Sequence, residues 1–76
     1  MKQMSVMLHT INDVKEFVHT VSTVDFDVDL ISGRYAVDAK SIIGIFSLDL
    51  SKPLKVNIYS DDCDELLEKL QKYEER

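Results

Sequence analysis

The stretch Val37-Asp38-Ala39-Lys40-Ser41-Ile42-Ile43-Gly44-Ile45-Phe46-Ser47-Leu48 decides the fold, because its apolar residues do not fit a half-buried helix. At about 3.6 residues per turn, Ile42, Ile43, Ile45, Phe46 and Leu48 spread over more than half the circumference. A two-layer protein buries only part of such a surface. Ile45 and Leu48 are expected to face a core, which leaves Ile42, Ile43 and Phe46 clustered outward. A small domain that shows water these three side chains is keeping them for a partner.

Working outward, Tyr35, Val37 and Ala39 read as a strand leading into this helix, and Ser32-Gly33-Arg34 as the turn before it. Val24, Phe26, Val28 and Leu30 alternate with Asp25, Asp27 and Asp29, a strand whose wet face is marked by carboxylates. Thr10 is placed to cap a helix beginning at Ile11, with Asp13 in the acidic capping-box position. Ile11, Val14, Phe17, Val18 and Val21 form its apolar stripe. Met4, Val6 and Leu8 alternate with polar neighbours as a first strand. Downstream, Pro53 closes the central helical region, and Leu54, Val56 and Ile58 alternate as a fourth strand. Ser60-Asp61-Asp62 opens a last helix whose buried side is Cys63, Leu66, Leu67, Leu70 and Tyr73. The order is β-α-β-β-α-β-α. Four one-faced strands imply an α+β fold, a four-stranded antiparallel sheet with three helices on one face.

With 76 residues the chain makes one domain, spanning 1–76, near the lower limit for a single core. A formal charge of −5 with scattered basic residues argues against nucleic acid as a partner. Cys63 has no second cysteine to bridge, so a reducing cytoplasm is the expected compartment. No apolar run has the length of a membrane span or the pattern of a signal peptide.

The string "AKSIIGIFSLDL" resembles the central serine-containing helix of HPr, the small phosphocarrier of the bacterial sugar phosphotransferase system, where "KSIMGVMSLG" recurs. The element order is similar too, nearly throughout the chain. The resemblance implies the HPr open-faced β-sandwich, no cofactor, a monomer, and no catalytic activity beyond carrying a phosphoryl group. It also implies partners among phosphotransferase-system or regulatory proteins.

The family carries phosphate on a histidine at the start of its first helix, in a Gly-Leu-His-Ala/Thr-Arg-Pro-Ala setting. Helix N–H groups and the arginine there cradle the phosphoryl group. Leu8-His9-Thr10 reproduces a fragment of that motif, but the glycine, arginine and proline are absent. Aligning on Phe17 moves the active position to Thr10 or Ile11, and Asp13 adds a repelling charge. His9 is therefore either a phosphohistidine candidate or an ordinary histidine in the strand-to-helix turn. His19 falls on the polar face of its helix.

Lys40 and Ser41 match the family's regulatory phosphoserine motif residue for residue. Ser41 is a candidate for a dedicated serine kinase, its phosphate favoured by the helix dipole and by Lys40, or it is simply a cap. Lys40, Ile42, Ile43 and Phe46 match positions at which the family docks proteins. Phe46 is the expected anchor. Asp25, Asp27 and Asp29 lack the glycine turn and distal glutamate of a calcium loop, so no metal is expected. Carboxylates surround Cys63, which suits a core residue and not a thiolate. Two functions follow: a binding or regulatory module working through the Ser41 helix, or a phosphocarrier that accepts phosphate on His9 and passes it to a sugar permease component.

Overall fold

The computed structural model describes residues 1–74, in which the elements run β1 (Lys2–Val6), α1 (Ile11–Val21), β2 (Val28–Ser32), β3 (Tyr35–Asp38), α2 (Ile42–Phe46), β4 (Leu54–Ile58) and α3 (Asp64–Leu70). A 3-10 turn, Gln71–Tyr73, follows α3. The strands make one four-stranded antiparallel sheet in the order β1-β4-β2-β3. This is the expected α+β arrangement, with β4 inserted between β1 and β2.

The register separates the two faces. Met4, Val56, Leu30 and Val37 lie side by side across the sheet, as do Val6 with Leu54 and Val28 with Ile58. On this face Val6, Val28, Leu30, Leu54, Val56 and Ile58 are buried, and the helices cover them with Val14, Phe17, Val21, Ile45, Leu66 and Leu70. The other face carries Gln3, Ser5, Asp29, Asp38, Lys55 and Asn57, the polar half of the alternation. One face is packed and the other open.

Local chemistry sets the ends of each element. Thr10 Oγ1 accepts from the Asp13 N–H at 3.0 Å, and the Asp13 carboxylate accepts from the Thr10 N–H at 3.3 Å, completing the capping box. Gly33 has φ +58° at the first position of the two-residue β2–β3 turn, a conformation that costs glycine nothing. Gly44 lets α2 lie close to β3, since a Cβ there would stand 3.3 Å from Val37 Cβ and 3.2 Å from Ser41 Oγ.

The boundaries differ from the alternation in four places. β2 starts at Val28, not Val24. The β3 ladder ends where the Ala39 N–H donates to the Val28 carbonyl, and the β4 ladder where the Tyr59 N–H donates to the Asp27 carbonyl. Residues 24–26 therefore have no strand to pair with. Val24 and Phe26 still pack against the core from the loop, while Asp25 and Asp27 are exposed and Asp29 is half-buried. Ile11, expected in the α1 stripe, is 63% exposed because the first turn overhangs the core. α2 is only five residues long, and Ser47 and Leu48 continue as a turn. α3 begins at Asp64, so Cys63 sits at its N-cap, buried, with its thiol 3.4 Å from the Ser60 carbonyl.

Candidate functional site

The candidate residues lie on two surfaces, the start of α1 and the outer side of α2. At the first, His9 stands just ahead of the N-cap Thr10 and is exposed. The Asp13 carboxylate reaches back over the helix start and accepts from the His9 N–H at 2.9 Å as well as from Thr10. These backbone donors are what a helix start offers an incoming phosphoryl group. Here the Asp13 carboxylate holds the His9 and Thr10 N–H groups ahead of the helix, while the Ile11 and Asn12 N–H groups inside it have no partner among the described contacts.

His9 also lines a surface cleft of about 640 Å³ between α1 and the C-terminal turn. Among the described residues, Asp13, Glu16 and Glu74 share that cleft with one ammonium, Lys72. Lys72 Nζ is 3.3 Å from Glu16 Oε2, and the Tyr73 hydroxyl donates to the same oxygen at 3.2 Å. The hydrogen bond to Glu16 raises the Lys72 pKa above its ordinary value, which keeps it charged and directed at that carboxylate. Burial of the Tyr73 ring, which packs edge-on against Phe17 with centroids 5.8 Å apart, raises its phenol pKa. The described lining of the cleft is thus net negative, with its lysine paired. An anion entering it meets like charge.

Sequence reading missed this Glu16–Lys72–Tyr73 cluster, because its members lie more than fifty residues apart in the chain. Only the α1 and α3 stripes, carrying Phe17 and Tyr73 on their inner sides, hinted that the two ends would meet.

On the second surface, Ser41 caps α2, its Oγ accepting from the Gly44 N–H at 3.2 Å, and is exposed. Ile45 and Leu48 are buried, while Ile43 is 80% and Phe46 44% exposed. Ile42 is half-buried, packed against the core edge. Lys40 does not project freely beside Ser41: its Nζ donates to the Val24 carbonyl at 2.9 Å and ties the α1–β2 loop to the start of α2. The first helix and the central helix therefore present different chemistry, an acidic cap and an open apolar face. Among the described residues, no three His, Cys, Asp or Glu side chains gather into a metal-binding group.

An open-faced sandwich with a capping serine ahead of a short apolar helix is the architecture on which the comparisons with known proteins converge. The family model described as "PTS HPr component phosphorylation site" matches residues 9–75, and this chain belongs to the HPr family. Its fold is similar to that of HPr-C-His from Thermoanaerobacter tengcongensis, with TM-score 0.77 and 28% identity over 92% of this chain and 86% of that one. It is likewise similar in fold to the phosphocarrier protein HPr from Bacillus anthracis str. Ames, with TM-score 0.73 and 24% identity, covering 97% and 96% of the two chains. No helix among the described residues is long and apolar enough to cross a membrane.

Proposed function

We propose that this HPr-family chain works as a cytoplasmic protein-binding or regulatory module and not as a phosphohistidine carrier. Its docking surface is the α2 face, Lys40, Ile42, Ile43 and Phe46, and its partners are phosphotransferase-system or regulatory proteins. Ser41 is the candidate site for a serine kinase. Phosphate there would add a charge of about −2 beside Ile43 and Phe46 and alter docking without unfolding the domain. The chain performs no catalysis of its own.

The observation that carries this reading is the position of the Asp13 carboxylate on the His9 and Thr10 N–H groups. A phosphoryl group on His9 would stand beside this carboxylate and be repelled by it, and no arginine follows at the helix start to compensate. Lys40, held at Val24, serves first as a strut, so any help it gives a Ser41 phosphate is long-range.

The second reading, phosphate transfer through His9, draws on the exposure of that histidine at the mouth of a cleft. Incubation with the first enzyme of the phosphotransferase system and phosphoenolpyruvate, followed by intact mass, separates the two. The expected result is no stable adduct. An acid-labile gain of one phosphate, lost in His9→Ala, would establish the carrier instead.

A further inference from the structure

We propose that the free edge of β3 pairs antiparallel with β3 of a second copy of this chain, centred on Ala36, joining two sheets into one. The two edges of the sheet are treated differently. At β1 the C-terminal segment closes one end: the Met7 N–H donates to the Tyr73 carbonyl at 2.7 Å and Val6 bridges to Glu74. At β3 no described residue lies beyond the strand, and Tyr35, Ala36 and Asp38 are all exposed.

The ladder fixes which backbone groups are free. The Ala39 N–H donates to the Val28 carbonyl, so in the same register Val37 with Leu30 and Tyr35 with Ser32 are the hydrogen-bonded pairs. Ala36 and Asp38 therefore turn their N–H groups away from β2, toward open solvent. Two copies placed about a twofold axis at Ala36 exchange both Ala36 hydrogen bonds, and each Asp38 N–H reaches the Arg34 carbonyl of the other copy.

The side chains select this register and this partner. Arg34 comes opposite Asp38 of the copy on the open face, at both ends of the ladder. Tyr35, 73% exposed in the monomer, comes opposite Val37 of the copy on the helix face, an aromatic–β-branched pair. Sliding the axis to Val37 would instead set Arg34 against Lys40. Within one copy Asp38 stands directly across from Asp29, a like-charge pair; its Oδ1 accepts from the Lys40 N–H at 2.9 Å, but it has no ion-pair partner among the described residues, and neither has Arg34. The second copy meets both needs at once. The contact is isologous and closed, as a twofold dimer requires.

A four-residue strand covers less than the roughly 1,600 Å² of a standard interface, so the association is weak and the monomer is its dilute limit. Sedimentation equilibrium at low salt, from about 20 μM to about 1 mM, should show the average mass climbing from monomer toward dimer. Ala36→Pro removes only the outward N–H and blocks the edge, leaving the β2 ladder intact, and should stay monomeric throughout with an unchanged circular dichroism spectrum. Arg34→Asp and Asp38→Arg should each be monomeric alone, since each repels its own kind. Mixed in equal amounts they should dimerise, because each offers the other opposite charge at both ends; this arm decides the matter even if Ala36→Pro fails to fold. A wild type that stays monomeric at the highest concentration overturns the proposal. So does a dimer that survives Ala36→Pro, or a mixture that associates no better than its components.

Discussion

Asp13 makes three connections that would otherwise fall to separate groups: its N–H is taken by Thr10 Oγ1, and its carboxylate takes the N–H groups of His9 and Thr10. Asp13→Ala leaves those amides to water and should cost about 0.5–2 kcal/mol, the range for a lost cap, measured by urea unfolding. His9→Ala removes an exposed side chain with no hydrogen bond of its own among the described contacts and should change stability by less than about 0.5 kcal/mol. The ratio between the two separates a carboxylate that holds the helix start from a histidine that does not. Tyr73 makes a pH-dependent contribution with a definite sign. Its buried ring raises the phenol pKa, so the folded state keeps its proton where the unfolded chain has lost it. That stabilisation is complete below the tyrosine value near pH 10 and disappears as pH rises through the higher folded value. Stability should thus start to fall in the ordinary tyrosine range, where the unfolded chain's phenol ionises first, and go on falling until the folded phenol ionises too. Tyr73→Phe, which has no proton to lose, should remove this dependence.

The central helix has one face in the core and one in water. Leu48 is nearly buried and Ile45 wholly so, whereas Phe46, one residue on from Ile45, keeps 44% of its surface in water. Leu48→Ala should cost about 2–5 kcal/mol of folding free energy, as core truncations do. Phe46→Ala should cost less in folding and instead weaken partner binding by about 2 kcal/mol or more, the scale of an interface anchor. Denaturant unfolding and calorimetric titration against a binding partner measure the two losses separately. A Phe46→Ala variant as unstable as Leu48→Ala would assign the ring to the core. The outward Ile43 and Phe46 and the inward Ile45 and Leu48 were legible from spacing, since the apolar arc was too wide for one core to bury, but Ile42, expected outward with them, packs half-buried against the core edge. The role of Lys40 was not legible: its bond to the Val24 carbonyl depends on how the loop at 24–26 folds, and no local pattern encodes that.

Across the whole molecule, the alternations that placed β1, β3 and β4 were legible because each strand has one wet and one dry face. The same rule overextended β2 to Val24. Alternation reports burial, and Val24 and Phe26 are indeed packed against the core, but a ladder also needs a neighbouring strand, and the neighbours stop at Asp27 and Val28. Strand order was not legible at all: that β4 enters between β1 and β2 follows from long-range packing, while the reach of the Asp13 carboxylate back to the His9 N–H required the backbone geometry. The order has a consequence that amide exchange can read. β4 is paired on both sides, so opening it means breaking two ladders, and Val56 and Ile58 should exchange only through global unfolding. β3 is paired on one side. In dilute solution Tyr35 and Val37, whose N–H groups point to β2, should exchange slowly, while Ala36 and Asp38 between them exchange rapidly. A twofold alternation along a four-residue strand is the signature of an open edge. Uniform protection of all four amides at low concentration would mean that something else already covers that edge, and uniformly fast exchange would mean that the β2–β3 ladder is not formed as described.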